Sequence, residues 1–213
     1  RLIADMTMEK LAEEGANPAK VGEATELVTE AYLEMIEGQY LDISFEGKLD
    51  VSLGDYLKMI SLKTGALIRC SLNLGAAIGA ENSGTVAAFR DAGSSLGFAF
   101  QIRDDVLGVW GDQTTVGKPV GSDIRRKKNS LPMVYAMANA TGHDKQILVN
   151  IYQEATVTEQ AVDSILRVLD TVQAREYADK LVAMHCQHAI DALADFEMSL
   201  QFKQDFDELV SFI

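Results

Sequence analysis

Along almost all of this 213-residue chain, apolar residues recur three and four positions apart, the period of an α-helix and not of a strand. Between Ala19 and Glu37, for example, Val21, Ala24, Val28, Ala31 and Met35 fall on one helical face. Only three prolines, Pro18, Pro119 and Pro132, are present to break such a pattern. Alanine, leucine, glutamate, methionine and glutamine are common, and these residues lose little freedom in a helix. The expectation is an all-α protein. With 47% hydrophobic residues, residues 1–213 are read as one helical domain with one core.

The periodicity predicts helices over Leu2 to Glu14 and Ala19 to Glu37, the second closed by Gly38. The segment Gln39 to Gly47 alternates enough to pass for a strand, yet equally continues the helix. Ser52, with Asp55 three residues on, resembles a capping box and opens a helix reaching about Ala80. Another runs from near Gly84 to about Leu107. Residues 108–124 hold four glycines, a proline and two threonines and form the one long loop. Helices then resume over Asn129 to Ala140, His143 to Glu154, Thr158 to Asp170, Gln173 to Met198 and Asp205 to Phe212.

A net charge of −13 argues against a nucleic-acid binder, which needs a basic face. An anionic ligand then requires metal ions or a local basic cluster, and the only dense basic run is Arg125-Arg126-Lys127-Lys128. Cys70 and Cys186 lie in helical patterns without zinc or disulfide spacing and read as small reduced core residues, which favours a cytoplasmic setting. No apolar run follows Arg1 to Asp5, and no stretch is long and apolar enough for a membrane span.

The chemistry concentrates in residues 97–105. On a helix, Gly97, Gln101, Asp104 and Asp105 share one face, while Leu96, Phe98, Ile102 and Val106 spread over the others. Adjacent carboxylates at the C-terminal end of a buried helix repel each other and oppose the helix dipole. A hard divalent cation would offset that cost, as would, in the plainer reading, solvent and the neighbouring Arg103. The loop beyond places Lys118 in a glycine-flanked turn and Lys128 five residues past Asp123, cations able to fold back over the pair. Arg126 and Lys127 read as a solvated helix start. Lys63-Thr64 lies mid-helix among Met59, Ile60, Leu62, Leu67 and Ile68, so Lys63 should be only partly exposed and have an anionic partner.

KTGALIRCSLNLGAAIGA, FQIRDDVLGVWGD and GKPVGSDIRRKKNSLP, in that order, resemble the trans-isoprenyl diphosphate synthases, and GQYLDISFE resembles the segment before the Lys-Thr helix. The resemblance implies an antiparallel helical bundle of the isoprenoid synthase type around a central cavity. It implies Mg²⁺ held by Asp104 and Asp105, and diphosphate contacts from Lys63, Lys118 and Lys128. It places Thr64 and Gln101 beside the reacting carbons, with Phe100 lining a prenyl cavity. The implied reaction condenses isopentenyl diphosphate with an allylic prenyl diphosphate into a longer chain, in a homodimer. Gly65 to Ala80 and the helix from Gly84 are candidates for the dimer interface.

Two features depart from that pattern. Gly108 stands where the motif's third aspartate is expected, with Asp112 as a conceivable substitute, and no first aspartate-rich motif occurs in these residues, so the chain reads as the C-terminal part of such an enzyme. A non-catalytic subunit of a heteromeric synthase is the competing reading, favoured by Gly108 and opposed by the intact lysines. A terpene cyclase would show an Asn/Ser/Glu triad near Asp104, and none is found. His185 and His188 read as helix-surface or interface residues, His143 as part of a turn, and Trp110 as a loop anchor.

Overall fold

The computed structural model describes residues 2–80, 82–111, 117 and 119–213; Lys118 and Asp112 therefore lie outside the described residues. Among the described residues the regular structure is helical, with no strand. In chain order it comprises α1 (Leu2–Glu13), α2 (Pro18–Phe45), α3 (Leu53–Ile60), a π-helical turn (Ser61–Gly65), α4 (Ala66–Gly79), α5 (Ser83–Trp110), α6 (Ser122–Arg125), α7 (Leu131–Asn139), α8 (Gly142–Gln153), α9 (Glu159–Thr171), α10 (Ala174–Leu193) and α11 (Leu200–Phe212).

The helix starts follow local chemistry. The Ser52 hydroxyl accepts from Asp55 N at 3.1 Å, and Ser52 N donates to the Asp55 carboxylate at 3.2 Å, which is the expected capping box. Thr158 and Ser199 cap α9 and α11 through their hydroxyls. Pro132 sits in the first turn of α7, where a missing N–H costs nothing. His143 falls in the first turn of α8.

Several boundaries differ from the sequence expectation. The helix predicted over 173–198 stops at Leu193, and the next begins at Leu200; no glycine or proline marks the gap. Gly38 does not close α2, which continues to Phe45 and so resolves the ambiguous segment as helix. The glycine serves a close approach instead. A β-carbon at Gly38 would lie 2.6 Å from Lys63 Cα and 2.7 Å from Leu62 C, so only a hydrogen fits between α2 and the π-helical turn.

The chain divides into two compact units. The first comprises residues 1–39, 60–98 and 185–213. Its core gathers Ala92 and Leu96 of α5, Ala189 and Leu193 of α10, and Phe206 of α11. Glycines again set the spacing, since a β-carbon at Gly97 would stand 2.6 Å from Gly65 Cα. The second unit comprises residues 40–59 and 99–184. Val109, Ile124, Met133, Leu148, Ile165 and Leu169 form its solvent-excluded centre, and Trp110, expected in the loop, packs against them as the last residue of α5. Each such Leu or Ile contributes roughly 1.5–3 kcal/mol by leaving water.

Candidate functional site

Within the second unit, α5 carries Gln101, Asp104 and Asp105 on one face, as the helical spacing requires. The pair does not sit at the helix end: α5 continues to Trp110, more than a turn further. The two carboxylates part company. Asp105 is fully buried, whereas the Asp104 side chain keeps 55% of its exposure.

Asp105 is enclosed by donors. Its Oδ2 accepts from Tyr56 Oη at 2.7 Å and from Leu131 N, the first backbone amide of α7, at 2.8 Å. Its Oδ1 accepts from Lys128 Nζ at 2.8 Å and from Gln101 Nε2 at 3.1 Å. A carboxylate has about four acceptor positions, and here the protein occupies all of them. The buried charge is thus offset by an ammonium, two neutral donors and the positive end of α7, where Ser130 makes no side-chain cap bond and Asp105 caps the helix instead. Burial, together with the Asp105 charge beside it, pushes the Tyr56 hydroxyl pKa well above the usual phenol range and keeps it a donor.

Lys128 is the centre of this arrangement. Besides Asp105, its Nζ lies 3.2 Å from Asp123 Oδ2 and 3.9 Å from Asp104 Oδ2. Burial alone would pull its pKa down, but the charges of Asp105 and Asp123 outweigh that and hold it above the ordinary lysine value. Burial pushes Asp123 the other way, above the usual carboxylate range, although Lys128 opposes the shift. Among the described residues, one ammonium faces three carboxylates, which leaves them short of positive charge.

The chain reaches this geometry through a left-handed backbone at Lys127, with φ of 51°. The turn disperses the basic run. Arg125 forms a two-pronged pair with Glu159 at 2.6 and 3.1 Å. Arg126 is exposed, as a solvated position should be. Lys127 is not solvated: its ammonium donates to the carbonyls of Tyr152 and Glu154 at the end of α8. Lys128 alone enters the acid cluster. Arg103, the cation nearest the aspartates in sequence, pairs with Asp179 at 3.0 Å.

The remaining expected residues fall as follows. Lys63 and Thr64 lie half-buried on the π-helical turn of the first unit, a helix defect often found at functional sites. Phe100 is exposed. His185 is more than a surface residue: it stacks on Phe98 with ring centres 4.9 Å apart, and burial lowers its pKa. Among the described residues no group of three or more His, Cys, Asp or Glu side chains is placed to hold a metal ion, and no helix is long and apolar enough to cross a membrane. The outward Asp104 carboxylate nevertheless suits a hard cation that takes one carboxylate and completes its shell with phosphate oxygens and water. Sequence reasoning passed over Tyr56, which is 49 residues from Asp105 and carries no local signal. It also passed over Asp123 as a site residue, although its place five residues before Lys128 was visible.

Comparisons with known proteins bear on the family and the fold. The polyprenyl synthetase family profile matches residues 2–169. A short chain isoprenyl diphosphate synthase from Methanothermobacter thermautotrophicus is 37% identical over 179 residues, covering 84% of this chain and 54% of that protein. The crystal structure of a polyprenyl synthetase from Streptomyces coelicolor A3(2) superposes with a TM-score of 0.87 at 32% identity, over 98% of this chain and 63% of that one. A geranylgeranyl pyrophosphate synthase from Corynebacterium glutamicum, complexed with isoprenyl diphosphate and magnesium, superposes at 0.82 with 25% identity, over 95% of this chain and 57% of that one. The fold is thus the isoprenyl synthase helical bundle that the motifs implied, and the chain spans about half the length of the curated relatives it matches.

Proposed function

Because this chain belongs to the polyprenyl synthetase family, we propose that it is the C-terminal part of a single helical domain whose Mg²⁺-dependent activity joins isopentenyl diphosphate to an allylic prenyl diphosphate. The observation that carries the reading is the meeting of Lys128 and Asp123 with Asp104 and Asp105 of α5, cation and acids together at one place. A divalent cation bound there would supply charge neutralisation for the leaving diphosphate.

The chain's own residues do the rest. Asp104, outward and exposed, offers the carboxylate that would hold the metal. Asp105, the other expected metal ligand, has its acceptor positions taken by protein donors and instead fixes Lys128 and Gln101. Lys128, kept protonated, donates to diphosphate oxygens, and Lys63 and Lys118 are proposed to join it. The side-chain oxygens of Gln101 and Thr64 stabilise positive charge developing on the allylic carbons. Phe100 offers an apolar wall that keeps water from that charge. A homodimer is proposed from the family resemblance, with Gly65 to Ala80 and the helix from Ser83 as its candidate interface. Cytoplasmic placement is proposed from the reading of Cys70 and Cys186 as reduced thiols, neither of them in a disulfide among the described residues.

The test is to incubate the full-length protein with Mg²⁺, isopentenyl diphosphate and dimethylallyl or farnesyl diphosphate, identify the product by mass, and weigh the protein in solution. An elongated prenyl diphosphate is expected. Turnover only on adding a partner protein would point to a non-catalytic subunit, and a hydrocarbon or alcohol product to a cyclase; either would end the reading.

A further inference from the structure

Gly108, which departs from the expected motif, lies directly against Asp123. A β-carbon at position 108 would stand 2.5 Å from Asp123 Cγ and 2.9 Å from its Oδ1. That carboxylate therefore occupies the space in which a side chain at 108 would begin. The placement is built. Gly121, with φ of 75°, donates its N–H to Val109 O at 2.9 Å. The Ser122 hydroxyl donates to Gly108 O at 3.0 Å. These two bonds lay α6 across the last turns of α5, with Asp123 over the gap. From there Asp123 grips Lys128 twice: its backbone O accepts from Lys128 N at 3.0 Å, and its Oδ2 accepts from Lys128 Nζ at 3.2 Å. Asp123 is buried, so a loose ion pair in solvent does not describe it.

We infer that Asp123 is a positioning residue of the diphosphate site: its carboxylate replaces the side chain absent at Gly108 and holds the Lys128 ammonium against Asp105. Gly108 is then the complement of Asp123 and not a lost ligand, and the feature that suggested a non-catalytic subunit loses that meaning. The inference rests on the reading of Lys128 as a diphosphate ligand. It adds that the lysine's aim is set by a carboxylate fifteen residues beyond the motif glycine.

Calorimetric titration of the full-length protein with inorganic pyrophosphate in excess Mg²⁺ tests both levels, with melting curves for each variant. Lys128→Gln should weaken binding, which checks the underlying reading. Asp123→Asn, close to isosteric, should weaken it roughly tenfold, the scale of one charge-assisted hydrogen bond. Gly108→Ala alters no charge, yet its methyl group must dislodge Asp123, and a similar loss is expected. The double variant Gly108→Ala/Asp123→Asn should be no weaker than either single one. Gly108→Asp/Asp123→Gly, which returns a carboxylate to the same space from the other side, should recover part of the loss. A merely structural role would lower the melting temperature and leave binding unchanged.

Binding that depends on Lys128 but is unaffected in Asp123→Asn overturns the inference and spares the reading beneath it. Losses that add in the double variant also overturn the inference. Pyrophosphate binding indifferent to Lys128→Gln overturns both. If Gly108→Ala does not fold, Asp123→Asn decides alone.

Discussion

Asp104 and Asp105 share a peptide bond and have opposite fates. Asp105 is buried beneath Tyr56, Gln101, Lys128 and the first amide of α7, whereas Asp104 faces outward. Replacing Asp105 with asparagine sets an amide donor against donors and leaves Lys128 short of a buried counter-charge. Breaking such a pair costs about 3–5 kcal/mol. Asp104→Asn removes a half-exposed carboxylate with weak protein contacts, and stability should change by no more than about 0.5 kcal/mol. Denaturant unfolding of the two variants checks the asymmetry, and equal losses would contradict it. The sequence placed both residues on one face and predicted that a buried acid pair needs positive charge nearby. It did not show which acid was buried, because the deciding partners, Tyr56 and Leu131, lie 49 and 26 residues away.

At the scale of elements, the π-helical turn is where sequence reading and structure diverge most usefully. Local rules read Gly38 as a helix stop, since glycine favours helix ends. A contact with the backbone at Lys63 and Leu62 overrides that rule, and periodicity cannot report it. The bulge bearing Lys63 and Thr64 was equally hidden, because one extra residue in a turn leaves the apolar spacing of α3 and α4 almost intact. By contrast, the capping box at Ser52 was legible, being local chemistry, and the helix expected from Thr158 does start there, capped by its hydroxyl. Two glycines of α2 make the distinction measurable. Gly38→Ala forces a methyl group into backbone that cannot yield and should destabilise by roughly 1–3 kcal/mol or more. Gly22→Ala meets nothing within 4 Å and should stabilise by about 0.5–1 kcal/mol through helix propensity. Melting curves should therefore shift in opposite directions, and a neutral Gly38→Ala would refute the close approach.

For the whole molecule, the net charge of −13 decides how an anion can be received. The one dense basic run was the only local basic cluster that the sequence offered an anion. The left-handed residue Lys127 breaks it up, sending Arg125 to Glu159, Lys127 to helix-end carbonyls and Lys128 among acids. Among the described residues, what remains around Lys128 is a single ammonium outnumbered by carboxylates. A bare diphosphate approaching this cluster meets repulsion from the carboxylates at short range, where salt screens poorly. A divalent cation held by Asp104 would reverse that balance by supplying positive charge for the phosphate oxygens. Titration of pyrophosphate into the full-length protein should thus show no measurable binding when a chelator removes divalent ions. Binding should return on adding Mg²⁺, with an affinity that rises with Mg²⁺ concentration until the site fills. Added monovalent salt should not substitute for it, because screening weakens the repulsion without supplying a bridge between two anions. Equal pyrophosphate affinity with and without chelator would mean that the lysines alone receive the anion, and the acids on α5 would need another explanation.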